Sequence, residues 1–177
     1  MKHLLLTITL AVLLFSCCKK KDESPQLPAI TQEGKNTFGC KVDGSIITAN
    51  GKPINWNDDE YINFHLGGGA IDTVTIISAQ NQNPKWYMSL HYTSTPINQT
   101  GKFVINNVTD NYGMYLDLHS NDAPLGGNSY YTNRKDTGIV NIMRNDTKVI
   151  AGTFEMTVAN DSGKIVHITD GRFDITK

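Results

Sequence analysis

The chain has only three cysteines, Cys17, Cys18 and Cys40, too few and too unevenly spaced for a disulfide framework. Cys40 is expected as a small buried strand residue, the usual fate of a free cysteine. A reactive thiol needs a cationic, partly exposed setting, and Lys41 points to the opposite face of the same strand. Excess charge of one sign is also missing: 16 Lys+Arg stand against 17 Asp+Glu, a formal net charge of −1. Without a basic stripe to neutralise phosphates, nucleic acid is excluded as a partner. No apolar run is long enough to cross a hydrocarbon core of ~30 Å as a helix. There is no Walker lysine, Gly-x-Gly-x-x-Gly, His-Glu-x-x-His or Cys-x-x-Cys. His65-Leu66-Gly67-Gly68-Gly69 has the glycines of an esterase oxyanion loop, but no Gly-x-Ser-x-Gly nucleophile turn accompanies it. No catalytic residue, metal or cofactor is implied.

What is present begins with a leader. Lys2 and His3 precede Leu4 to Phe15, which is apolar apart from two threonines. Such a run is too short for a permanent span and suits a signal-peptide core. Leu14-Phe15-Ser16-Cys17 resembles the bacterial lipobox: an apolar residue, a small residue at −1, then the cysteine. Phe15 departs from the small residue favoured at −2. The expected organisation is a lipoprotein signal peptide over residues 1–16, a lipidated Cys17 with a flexible tether to residue 36, and one β-domain over 37–177. The alternative is an ordinary secretory signal with an incidental cysteine. Acyl chains on Cys17 would make the membrane a partner, since each buried methylene contributes ~0.8 kcal/mol.

The tether carries Pro25, Pro28 and many charges but little aliphatic surface, so nothing in its composition offsets the entropy of ordering it. Lys21-Asp22-Glu23 resembles the Lys-acidic-acidic export signal of Bacteroidota-type surface lipoproteins. That resemblance implies a surface-exposed place on the outer membrane; the plain reading is a solvated linker.

From Asn36 onward, short β-rich runs recur between Gly, Asn, Asp and Pro, with no sustained helical period. Asp43-Gly44 supplies a two-residue hairpin turn after Phe38–Val42. Trp86, Met88, Leu90 and Tyr92 alternate with Tyr87, Ser89 and His91. Met114, Leu116 and Leu118 are read as facing away from Tyr115 and Asp117. Val149–Ala159 buries Ile150, Phe154, Met156 and Val158, with Gly152 where another backbone comes close. Ile165–Thr169 returns, and Asp170-Gly171 marks a bulge or tight bend. The fold class is all-β: an antiparallel sandwich of about nine to ten strands, with a closed up-and-down barrel as the alternative.

Asn36-Thr37-Phe38-Gly39-Cys40-Lys41-Val42-Asp43-Gly44, Gly152-Thr153-Phe154-Glu155-Met156-Thr157 and Ile168-Thr169-Asp170-Gly171-Arg172-Phe173-Asp174-Ile175 resemble a family of small Bacteroidota-type lipoproteins of unknown function. The resemblance is sharp at the two ends of the domain. It implies an envelope location and one β-rich domain, and it carries no catalytic residues.

Aromatic residues are the most informative candidates for binding. Trp56, Tyr87, Tyr115, Tyr130 and Tyr131 fall in loops or on polar strand faces, where rigid amphipathic rings favour a glycan or protein ligand. His65, His91, His119 and His167 lie on polar strand faces, but residues two apart on a strand are ~7 Å apart, too far to share a metal unaided. Asp58-Asp59-Glu60 beside Trp56 offers acids for glycoside hydrolysis or calcium, against the plainer reading of a solvated turn. The expected function is a lipid-anchored, non-catalytic binding or structural module. The alternatives are a lipocalin-like carrier of a small apolar ligand, or a hydrolase using the Asp58–Glu60 loop.

Overall fold

The computed structural model describes residues 25–51, 60–68, 73–82, 85–94, 98–108, 111–117 and 128–177. These residues form eleven strands and no helix. In chain order they are β1 (Thr37–Val42), β2 (Ser45–Asn50), β3 (Glu60–Gly68), β4 (Thr73–Gln82), β5 (Lys85–Ser94) and β6 (Gly101–Ile105). β7 (Tyr112–Asp117), β8 (Ser129–Tyr131), β9 (Gly138–Asn145), β10 (Val149–Ala159) and β11 (Ile165–Thr176) complete the set.

All eleven strands belong to one antiparallel sheet, and nine of them follow each other in the order β2-β1-β11-β10-β8-β7-β5-β4-β3. The other two extend it lengthwise. β10 pairs with β9 from Ile150 to Met156 and with β8 at Ala159, so β8 and β9 share one edge of β10. β7 pairs with β8 and β6 with β9 in the same manner. Two interrupted strands therefore lie side by side, and eleven segments fill nine positions. This is why the count exceeds the nine or ten expected. The sheet is single and nearly closed, so the expected all-β antiparallel fold has both barrel-like and sandwich character.

Nine positions mean eight antiparallel steps, so β2 and β3 at the ends of the order run in the same sense. A hairpin ladder cannot join them. Instead β3 passes the end of β2: the Ile62 amide donates to the Gly51 carbonyl at 3.2 Å, and the Asn81 side chain donates to the Thr48 carbonyl at 3.4 Å.

Local chemistry explains the turns and bends. Asp43 and Gly44 both have positive φ, 46° and 85°, as the predicted β1–β2 hairpin requires. In β11 one extra residue sits near Asp170: Gly171 faces Phe154 and Ile168 faces Met156, a step of three against two. The predicted bulge is present, with Asp170 at φ 54°. Gly152 is also explained, because a Cβ there would lie 2.4 Å from the Asn141 carbonyl oxygen.

Alternate residues of every strand meet in one core. Phe38, Trp86, Met88, Leu90, Tyr92, Ile142, Ile150 and Ile175 are essentially fully buried. The Phe38 ring lies 6.1 Å from Trp86 and 5.2 Å from Phe154, so aromatic side chains fill the middle. Cys40 is buried among them, as expected.

The segment read as a flexible tether needs correction. Residues 1–24, including Cys17 and Lys21-Asp22-Glu23, lie outside the described residues, but residues 25–36 form a strap held on the outer face of β1 and β11. Asp174 points outward from β11, yet only 1% of it is exposed because the strap covers it. Its carboxylate accepts hydrogen bonds from the Thr31 hydroxyl at 2.6 Å and the Gly34, Glu33 and Lys35 amides at 2.7, 3.0 and 3.3 Å. The Thr176 hydroxyl donates to the Gly34 carbonyl at 2.7 Å, and the Arg172 guanidinium to the Pro28 carbonyl at 3.3 Å. Pro28 lies flat on Gly39, where a Cβ would come within 2.6 Å of its ring. Composition missed this because the strap is held mainly by hydrogen bonds, four of them to the buried Asp174 carboxylate, and little by apolar burial.

Candidate functional site

The outer face over β4, β5, β7 and β8 is built by register. Trp86, Met88, Leu90 and Tyr92 point inward, which turns Tyr87, Ser89 and His91 outward. Pairing then aligns three cross-strand rows. His65, Ile76, His91 and Tyr112 form the first. Asn63, Ser78, Ser89, Met114 and Tyr131 form the second. Gln80, Tyr87, Leu116 and Ser129 belong to the third.

The two serines of the middle row are low. Ser78 is 7% exposed and Ser89 is fully buried although both face outward, because taller neighbours flank them. The flanking rows are about 14 Å apart, from four rises of ~3.4 Å. His91 and Tyr112 stand on one side of the two serines and Tyr87 and Leu116 on the other, and the serines are closed off from solvent. The His91 and Tyr112 rings stack with centroids 4.0 Å apart at 18°. His91 Nε2 lies 3.2 Å from Ser89 Oγ, which orients the imidazole. Burial pushes the His91 pKa below its ordinary value, so the ring is neutral at neutral pH. The rows named carry no Asp, Glu, Lys or Arg.

The five aromatic residues singled out in the sequence separate. Tyr87 is half-buried on this face and Tyr131 is exposed beside it. Tyr115 and Tyr130 are corrected to core residues, only 7% and 2% exposed, with ring centroids 6.0 Å apart. The inward side of β7 carries Gly113, Tyr115 and Asp117, and the aliphatic Met114 and Leu116 are the ones turned outward. Burial first, then the nearby Asp117 carboxylate, pushes the Tyr115 phenol far above its ordinary value. Trp56 lies outside the described residues, as do Asp58, Asp59 and His119.

His65 and His91 share a row but stand two strands apart, ~10 Å at normal strand spacing. Among the described residues no group of three or more His, Cys, Asp or Glu could hold a metal ion. Alternation showed which residues of β5 face out, but not that Ser78 and Ser89 would be opposite each other.

A second outer feature lies over β9, β10 and β11. Two adjoining depressions of about 350 and 240 Å³ share Ile139 and Glu155 in their walls. Ile30 of the strap, Lys102, Asp170 and Arg172 line the larger one. Its charges are partly satisfied within the fold, since Lys41 pairs with Asp170 at 2.8 Å.

Comparison with protein-family models, curated proteins and solved structures finds no match for this chain. The fold defines its class directly: an all-β protein built on one nearly closed antiparallel sheet.

Proposed function

We propose that this chain is a lipid-anchored, non-catalytic binding module of the cell envelope, held on the outer membrane through Cys17 and presenting its outer sheet faces to a ligand. The anchor rests on Leu14-Phe15-Ser16-Cys17 behind its apolar run. The likeness of the domain's two ends to Bacteroidota-type lipoproteins supports the same location. The observation that carries the binding part is the division of the aromatic residues. Phe38, Trp86, Tyr92, Tyr115 and Tyr130 fill the interior, whereas Tyr87, Tyr112 and Tyr131 face outward. A module packed in this way recognises its ligand from outside.

The strap refines the geometry of attachment. With residues 25–36 fixed on the barrel, seven residues, 18–24, remain between the acylated cysteine and the domain. Fully extended they span at most about 25 Å, so the domain stays close to the headgroups.

A carrier of a small ligand is the second reading. It is favoured by the Trp86 indole nitrogen, which is buried with no hydrogen-bond partner among the described residues. Against it stand the large side chains that occupy the interior. The anchor is tested by replacing Cys17 with Ser and fractionating the cells. Release into the soluble fraction is expected, and unchanged membrane partitioning would refute it.

A further inference from the structure

We infer that the larger depression over β9, β10 and β11 takes the headgroup of a zwitterionic phospholipid, with the phosphate on Lys102 and Arg172 and the ammonium on Glu155; this rests on reading the chain as lipid-anchored. Register builds the site. Lys102, Asn141, Thr153 and Arg172 form one outward row across β6, β9, β10 and β11. Val104, Ile139 and Glu155 form the next, which stops at β10 because the β11 bulge leaves Glu155 without a facing residue. Ile30 of the strap adds a wall. The volume of about 350 Å³ falls at the small end of the ~300–1,000 Å³ range of ligand clefts.

Four charged side chains line the depression, and they are unequally engaged. Asp170 is paired with Lys41 at 2.8 Å. The Arg172 guanidinium is fixed by Nε on the Asp170 carbonyl at 3.1 Å and Nη1 on the Pro28 carbonyl at 3.3 Å, which leaves Nη2 without a partner among the described residues. The Lys102 and Glu155 side chains have no ion pair or hydrogen bond among the described residues. Two cations and one anion are therefore left for a ligand. A phosphate ester with an ammonium on a short arm answers both signs, whereas a simple anion leaves Glu155 unanswered.

What borders the depression favours a lipid over a free zwitterion. Ile30, Val104 and Ile139 are three of the seven large hydrophobic side chains exposed among the described residues, and Val104 is paired directly with Ile139. Exposed aliphatics beside cations are the composition that lies in the headgroup zone of a bilayer. The path of the chain agrees, because Ile30 is thirteen residues from the acylated Cys17. Fully extended, those residues span at most about 45 Å, which keeps this face within reach of the headgroups.

The test is a lysine footprint on the full-length protein. Acetylation of Lys102 is followed by peptide mass spectrometry relative to Lys85, which is exposed on β5. It is read in dodecyl maltoside micelles, in the same micelles with glycerophosphoethanolamine, and after reconstitution into phosphatidylethanolamine vesicles. The Lys102-to-Lys85 ratio is expected to fall about fivefold or more in the last two. Inorganic phosphate or glycylglycine at the same concentration should change it less than twofold. Glu155→Gln, checked for fold by circular dichroism, should abolish the protection by glycerophosphoethanolamine. An unchanged ratio, equal protection by inorganic phosphate, or protection that survives Glu155→Gln overturns the headgroup site. Protection by glycylglycine alone assigns the depression to a peptide terminus, and protection in micelles but not in vesicles assigns it to a free zwitterion; either overturns the lipid. Flotation with the vesicles reads the anchor separately, so a chain that fails to float refutes the anchor while the micelle samples still decide the site.

Discussion

Replacing Asp174 with Ala should release the strap while leaving the barrel folded. The carboxylate accepts four hydrogen bonds from one short stretch, from Thr31, Glu33, Gly34 and Lys35. Hydrogen bonds to a charged group contribute about 1.5–3 kcal/mol each. They do not add here, because a released strap regains both water and the backbone entropy of ~1–2 kcal/mol per residue that docking removed. The loss is therefore limited to the net contribution of the docked strap, about 2–4 kcal/mol, or roughly 10 °C in Tm for a domain of this size. Hydrogen exchange is the assay. The Glu33, Gly34 and Lys35 amides should lose protection, while those paired between β10 and β11 keep it. If the three amides stay protected, or Tm moves by less than about 2 °C, the clasp is not what holds the strap.

The same clasp predicts a pH dependence with a definite sign. Burial alone would raise the Asp174 carboxyl, but the bonds from Thr31 and the three amides outweigh it and hold the pKa below its ordinary value. A depressed folded-state pKa contributes stability that is complete above the ordinary carboxylate value and lost as pH falls through the lower folded one. The charged groups around it are Glu33 and Lys35, which pair with each other at 2.9 Å, Arg172, and Arg144, which donates to the Gln32 carbonyl. Strap amides should therefore lose protection on acidification below the ordinary carboxylate range; protection unchanged through that range would contradict the assignment.

Two further predictions concern the core. Gly152→Ala puts a Cβ 2.4 Å from the Asn141 carbonyl oxygen and 2.8 Å from the Phe173 ring; the forced shift should cost about 2–3 kcal/mol, read as a lower urea midpoint. Burial pushes the Cys40 thiol far above its ordinary value, so alkylation followed peptide by peptide should leave Cys40 unmodified until the protein is denatured; modification of the native protein would contradict its burial.

Features set by adjacent residues were legible in the sequence. Asp43-Gly44 carries the positive-φ chemistry of its hairpin, Asp170-Gly171 that of its bulge, and β5 its inward and outward faces by alternation. Gly152 was legible as a close approach because it interrupts an apolar parity. Features set by distant partners were not. Tyr115 looked outward because Met114 and Leu116 look like the core side of β7, and only packing against Tyr130 decides otherwise. Nothing adjacent to Asp174 signals its burial, since the strap that covers it lies about 140 positions away. That Ser78 meets Ser89 is a fact of register. The two interrupted strands likewise need β10 and its neighbours in place before their pieces align.

The proposed envelope location depends on where the mature chain starts and what is attached there. An intact-mass measurement on protein extracted from membranes reads both at once. A chain beginning at Cys17 and carrying acyl chains is the predicted result, and one retaining Met1, or beginning at an unmodified Cys17, would contradict it.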